Sequence, residues 1–158
     1  MRQIKINSET GSEIVSLTEM KNYLRVDHAV DNTLITDMIT QARQIIENYL
    51  SRDIVAKTRT YYLDESDGLI DIPFGPVASI QSVTVDGTSA THTVIDAYKK
   101  IKINYTTSGL TDIAIKHAIM QMVSTFYDNR ADFKDGIVVR EIPITSKKMV
   151  DSFKSMYV

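Results

Sequence analysis

"VSLTEMKNYLRVDHAVDNTLITDMITQARQIIENYLSRDI", residues 15–54, carries two helical signals in succession and ends where the hydrophobic period changes. Ser16 precedes Glu19 by three residues, the spacing of a capping box, and Val15 and Met20 stand where a hydrophobic staple would close around it. A short helix is therefore predicted from Leu17 to about Leu24. After Arg25-Val26-Asp27-His28 a second helix is predicted, with Asp31 as its cap. Its apolar residues Leu34, Ile35, Met38, Ile39, Ala42, Ile45, Ile46, Tyr49 and Leu50 keep helical spacing for about five turns, a rod of roughly 30 Å.

From Ile54 to Tyr105 the period becomes two, with Val, Ile, Thr and Tyr enriched and turn signals at Asp67-Gly68, Gly75-Pro76 and Asp86-Gly87. This predicts an antiparallel sheet with strands near 55–63, 69–73, 78–85, 92–96 and 100–105. In the last, Ile101, Ile103 and Tyr105 share one face and Lys100, Lys102 and Asn104 the other, the alternation of a sheet with one wet side. Pro73 and Pro76 should bracket a kink. Helix returns at about Asp112, with a buried stripe of Ile115, Ala118, Ile119, Met122, Val123 and Phe126 and a polar end, Tyr127-Asp128-Asn129-Arg130. Residues 131–145 read as an arm, charged ADFKDG followed by apolar IVV and extended REIPIT. A short terminal helix from near Ser146 would bury Met149, Val150, Phe153 and Met156. The predicted class is α+β: a small helical bundle with an antiparallel β-sheet insertion between its second and third helices. One domain, 1–158, would comprise N-terminal helices (1–53), the insertion (54–106), a helix (111–130) and the C-terminal arm and helix (131–158).

Composition narrows the function. The 158 residues include no Cys, which removes disulfides, thiolate-held metals and thiol nucleophiles. Residues 1–13 lack the apolar core of a signal peptide, and no later run approaches the ~18 apolar residues of a membrane span. A formal charge of -2 offers no basic excess for phosphates. The first two helices invite a helix-turn-helix reading. Residues 16–52, however, hold four basic side chains (Lys21, Arg25, Arg43, Arg52) against five acidic ones (Glu19, Asp27, Asp31, Asp37, Glu47), the wrong balance for a helix facing DNA. His28, His92 and His117 lie far apart in no metal-binding spacing, and nucleophile-elbow and phosphate-loop motifs are missing. Asp64, Glu65, Asp67 and Asp71 could hold a hard cation, but a solvated turn accounts for them better. Tyr127 and Arg130 read as a core-rim ring and a dipole-favoured cation at a helix end.

Four stretches in order resemble the head-tail connector (adaptor) proteins of long-tailed bacteriophages. The opening segment resembles the family's N-terminal signature at Leu17, Lys21, Leu24, Arg25, Asp27, Asp31, Ile35, Ala42, Glu47 and Tyr49. "LIDIPFGPVASIQSVTVDG" (69–87) is similar to the Pro-x-x-Pro-Val segment of longer members with a sheet insertion. "IKHAIMQMVSTFYDNRADF" (115–133) resembles their penultimate helix, which closes in Tyr-x-x-Arg, and "EIPITSKKMVDSFKSMY" (141–157) their Pro-led terminal helix. One departure is the approach to the third helix, Gly-rich and Pro-containing in the family and here only Thr107-Ser108-Gly109-Leu110-Thr111.

The resemblance implies a non-enzymatic structural protein of the virion, assembled in the bacterial cytoplasm and located at the head-tail interface. It would form a ring of subunits, a dodecamer in the virion, beneath the portal protein. That ring would extend the DNA channel without sequence-specific binding and support a stopper or tail-completion protein. No cofactor, metal or membrane is expected. The candidate portal-binding residues are Ile137, Val138, Val139, Ile142, Pro143, Met149, Val150, Phe153 and Met156, an arm able to add a strand or dock on a partner. Ring contacts must join two different faces, and Arg43, Glu47 and Arg130 are the candidates on the polar flank of the helices. The alternatives are a small DNA-binding regulator and a metal-dependent hydrolase built on the 64–71 carboxylates.

Overall fold

The computed structural model describes residues 2–66, 69–86, 88–90, 100–129 and 144–155. Its elements run β1 (Arg2–Glu9), α1 (Leu17–Leu24), α2 (Asn32–Leu50), β2 (Lys57–Leu63), β3 (Val77–Val85), β4 (Thr88–Ala90), β5 (Ile101–Thr107), α3 (Ile113–Asp128) and α4 (Ile144–Val150), with a 3-10 turn at Asp151–Phe153. The chain is α+β. It divides into a sheet unit, drawn from its first twelve residues and Ser51–Leu110, and a helical unit of Glu13–Leu50 and Thr111–Ser155.

In the helical unit the local signals work as read. The Ser16 hydroxyl accepts from Glu19 N at 3.2 Å, while Ser16 N donates to the Glu19 carboxylate at 3.0 Å, a complete capping box. Val15 and Met20, the staple positions, are both buried. α1 stops in a Schellman turn: Arg25 takes the left-handed conformation (φ 57) and its N–H reaches Asn22 O, while Val26 N reaches Lys21 O. On α2 the buried stripe is Ile35, Ile39, Ala42, Ile46 and Leu50. Each large aliphatic in it contributes about 2 kcal/mol of burial, and α3 packs against this helix. α3 is capped by Asp112, whose carboxylate accepts from Ala114 N at 2.8 Å, and it buries Ile115, Ala118, Ile119, Met120, Met122 and Val123. Its polar end is structural. Tyr127 Oη donates to Asp31 at 2.6 Å, and the Asn129 amide closes on Thr125 O at 3.0 Å.

In the sheet unit the strand order is β1-β2-β5-β3-β4, every pairing antiparallel. Tyr61, Leu63, Val83, Ile101, Ile103 and Tyr105 form the buried face, with Ile4, Ile70, Ile72 and Val85 packed against it. The opposite face carries a hydrogen-bonded row that crosses four strands, Asn7 to Thr60 (2.8 Å), Thr60 to Asn104 (2.7 Å) and Asn104 to Ser82 (2.7 Å).

The sheet is not confined to an insertion at 54–106, because its edge strand β1 precedes all the helices. The predicted strand at 69–73 does not form. Ile70 and Ile72 do alternate inward, yet they dock on the buried face as an irregular segment, and Tyr105 Oη bonds Pro73 O at 2.7 Å. Pro73 and the cis Gly75-Pro76 bond follow at once, and Phe74 (φ 60) makes an isolated bridge to Arg52. Residues 92–96 lie outside the described residues, while β4 at 88–90 completes a hairpin that turns at Asp86 (φ 50). The shortened approach to α3 depends on Gly109 (φ 77). A Cβ there would stand 2.5 Å from Ile54 O, the same carbonyl that accepts from Leu110 N.

Candidate functional site

The charged residues of α2 are not a surface flank. Arg43 is 1% exposed and Glu47 3%. Arg43 Nε contacts both oxygens of Glu13 at 3.0 Å and Nη1 reaches Glu47 at 2.9 Å, while the Thr40 hydroxyl donates to Glu13 at 3.0 Å. The expectation that Arg43 and Glu47 face a neighbouring subunit is corrected to this extent: their charges are matched inside the helical unit. The reason is Glu13, thirty residues from Arg43, which supplies a second carboxylate that helix periodicity does not reveal. Arg130 lies outside the described residues.

A second buried network went unnoticed in the sequence. Asp53 is fully buried and receives a two-pronged contact from Arg59, 2.8 and 2.6 Å, together with the Thr107 hydroxyl at 2.8 Å. Lys57 lies 3.6 Å from Asp53 and 3.4 Å from Glu9, so two cations meet two carboxylates. The Arg59 guanidinium also stacks 4.1 Å over the Phe74 ring. A signal was present in the alternation Lys57-x-Arg59, which puts both cations on the strand's inward face, but no local rule names Asp53 and Glu9 as their partners.

The C-terminal candidates separate. Val150 is fully buried and serves the protein's own core, which corrects its assignment as a contact for a partner; Met149 and Phe153 are half-buried. α4 packs on α3, Ser155 N bonds Leu50 O at 3.0 Å, and Tyr49 Oη donates to Asp151. That carboxylate raises the Tyr49 phenol above its ordinary 10.0. Lys147 and Lys154 lie over the same ring at 5.5 and 4.6 Å. Removing residues 137–158 would therefore strip packing from the helical unit rather than leave it intact. Ile137, Val138, Val139, Ile142, Pro143 and Met156 lie outside the described residues, as do Asp67 and His92. Among the described residues no three His, Cys, Asp or Glu side chains converge as a metal group, and Asp64, Glu65 and Asp71 are exposed.

The arrangement is one of packed helices, buried ion networks and a sheet, suited to holding surfaces rigidly. The family model for phage gp6-like head-tail connector proteins matches residues 14–108. The chain belongs to that family. Connectors of this kind are structural, and the match spans the capping box, α2 and the sheet strands β2, β3 and β5. The fold is similar to a chain in the virion of a native gene transfer agent particle, with a TM-score of 0.77 at 12% identity over 98% of this chain and 96% of that one. It is also similar to chains in the neck of an empty gene transfer agent particle computed with C6 symmetry (TM-score 0.72, 13% identity, 99% and 97% covered) and in the neck of a native particle computed with C12 symmetry (0.67, 11%, 96% of each). No curated protein sequence matches the connector chain significantly.

Proposed function

We propose that this connector assembles as a ring beneath the portal, lines the path of DNA leaving the head and carries the stopper or tail-completion protein. The observation that carries the reading is the connector-family match across residues 14–108. The C6 and C12 symmetry of the gene transfer agent necks supports a ring, and their place in particles supports a location in the virion. The formal charge of -2 suits a channel that DNA traverses without being held. The role is one of binding, not catalysis.

The arm and terminal helix, Ile137, Val138, Val139, Ile142, Pro143, Met149, Phe153 and Met156, are the proposed portal contact, with Val150 holding α4 to its own core. Arg43 and Glu47 act on any subunit interface only through the rigidity of α2. Light scattering on the purified protein, alone and mixed with its portal protein, tests the ring. The expected result is a ring-sized mass or a portal complex with about one connector per portal subunit, and a monomer indifferent to the portal refutes the reading. For the contact, the pair Val138→Asp and Ile142→Asp should abolish portal capture without lowering the melting temperature. Undiminished capture would remove the arm from the proposal.

A further inference from the structure

The sheet has two exposed edges whose faces match. Seven of the eight residues of β1 are exposed. On the other side β4 pairs with β3 only over Val83–Val85. Among the described residues, the five consecutive exposed positions from Val77 to Gln81 are therefore paired along one edge only. A free strand edge is a template for another strand. Lys5 and the bulge near Asn7 temper that of β1, so pairing there calls for a partner with a complementary pattern.

The cross-strand register supplies that pattern. Ile6 stands opposite Arg59, Arg59 opposite Tyr105, and Tyr105 opposite Ile80, one row across four strands. The inner members, Arg59 and Tyr105, are buried, whereas the row ends at either edge in an exposed isoleucine, Ile6 at 48% and Ile80 at 36%. Val77, 39% exposed, lies on the same face opposite buried Thr107. On the reverse face both edges are polar, Asn7 at one and Ser79 at the other. Apolar meets apolar and polar meets polar if one edge is laid beside the other.

We propose that β1 of one subunit pairs with the open stretch of β3 in its neighbour, so that the sheet continues from subunit to subunit. Strand direction alternates along β1-β2-β5-β3, so β1 and β3 run oppositely. A neighbour related by a ring axis keeps those directions, and the junction is antiparallel. It is also heterologous, the type of contact a ring requires, with main-chain bonds for affinity and Ile6 against Ile80 for register. The inference rests on the ring reading above and names the contact within it.

The absence of Cys from the sequence permits a clean test. Within one subunit positions 6 and 80 are three strand spacings apart, about 14 Å, well beyond the ~7 Å Cα separation a disulfide can span. Any bond between Ile6→Cys and Ile80→Cys therefore joins two subunits. Oxidation of the assembled double variant is expected to give a ladder of covalent multimers beyond the dimer, with each single variant remaining monomeric under denaturing conditions. A ring-sized oligomer without the ladder overturns the junction and leaves the ring standing. A dimer from Ile6→Cys alone replaces it with two-fold pairing of β1. A mass that stays monomeric with and without portal overturns both readings. Ile80→Lys is expected to melt as the unsubstituted protein does and to lose assembly, and native-mass rings from that variant count against the junction.

Discussion

Replacing Arg43 by Met removes a cation that lies between two carboxylates and is itself 1% exposed. Glu13 retains 28% exposure and can rehydrate, but Glu47 has only 4% and cannot. The cost is set by that buried carboxylate losing its nearest charge, about 3–5 kcal/mol, against a total stability on the order of 5–15 kcal/mol. For a chain of this size, 1 kcal/mol moves the melting temperature by roughly 2–4 °C, so Arg43→Met should melt roughly 6–20 °C lower. Urea unfolding followed at the helical circular-dichroism band measures the loss, provided the slope against denaturant is unchanged. The double variant Arg43→Met, Glu47→Leu should recover at least about 2 kcal/mol, because well-packed apolar side chains replace a buried pair at little cost. Arg43→Lys should fall between, since an ammonium cannot reproduce the guanidinium fork. A single-variant loss under about 1 kcal/mol, or a double variant no better than the single, would refute the reasoning.

Gly109→Ala forces a Cβ against Ile54 O at a positive φ and should cost about 1–3 kcal/mol, read by the same unfolding assay; an unchanged midpoint would show that the loop rearranges freely. Glu19 is held down from its ordinary 4.5 to about 2, first by Lys116, whose Nζ lies 2.5 Å away, then by the Ser16 backbone N–H and hydroxyl. A depressed carboxyl stabilises the fold above its unfolded value and loses that contribution as pH falls toward the folded one. The stability advantage over Glu19→Gln should accordingly be level above pH 4.5 and fade between 4.5 and 2, and an NMR titration midpoint near 4.5 would contradict it. Ser146 is fully buried with a hydroxyl that has no hydrogen-bond partner. Ser146→Ala should be neutral or stabilising by up to about 1 kcal/mol, and a loss larger than that would mean the hydroxyl has a partner in solution.

The helices were legible because each is encoded in a few adjacent residues. Ser16 and Glu19 form one cap, Asp112 another, and the apolar stripes of α2 and α3 repeat within a single turn. β1 was not, since an eight-residue strand with only Ile4 and Ile6 as apolar members is indistinguishable from a polar terminus until Leu63 to Lys57 lies beside it. The segment 69–73 shows the converse: its alternation is real, but it docks side chains where no ladder can form beside Pro73. Of the proposed portal contact, the sequence pointed to an apolar C-terminal segment, and packing then withdrew Val150 from it.

By itself the sequence determined the α+β class, the helix boundaries and the resemblance to connectors, because periodicity and capping are properties of neighbours along the chain. Only the tertiary structure decided that Arg43, Glu47, Asp53 and Arg59 are interior, and that the sheet ends at β1 on one side and along β3 on the other. A charged side chain is read as exposed unless its counter-charge is known. Here those counter-charges include Glu13, thirty residues from Arg43, and the strand that sets the sheet's edge pairs more than fifty residues along the chain. Which distant groups meet is settled by chain closure and packing rather than by any local pattern.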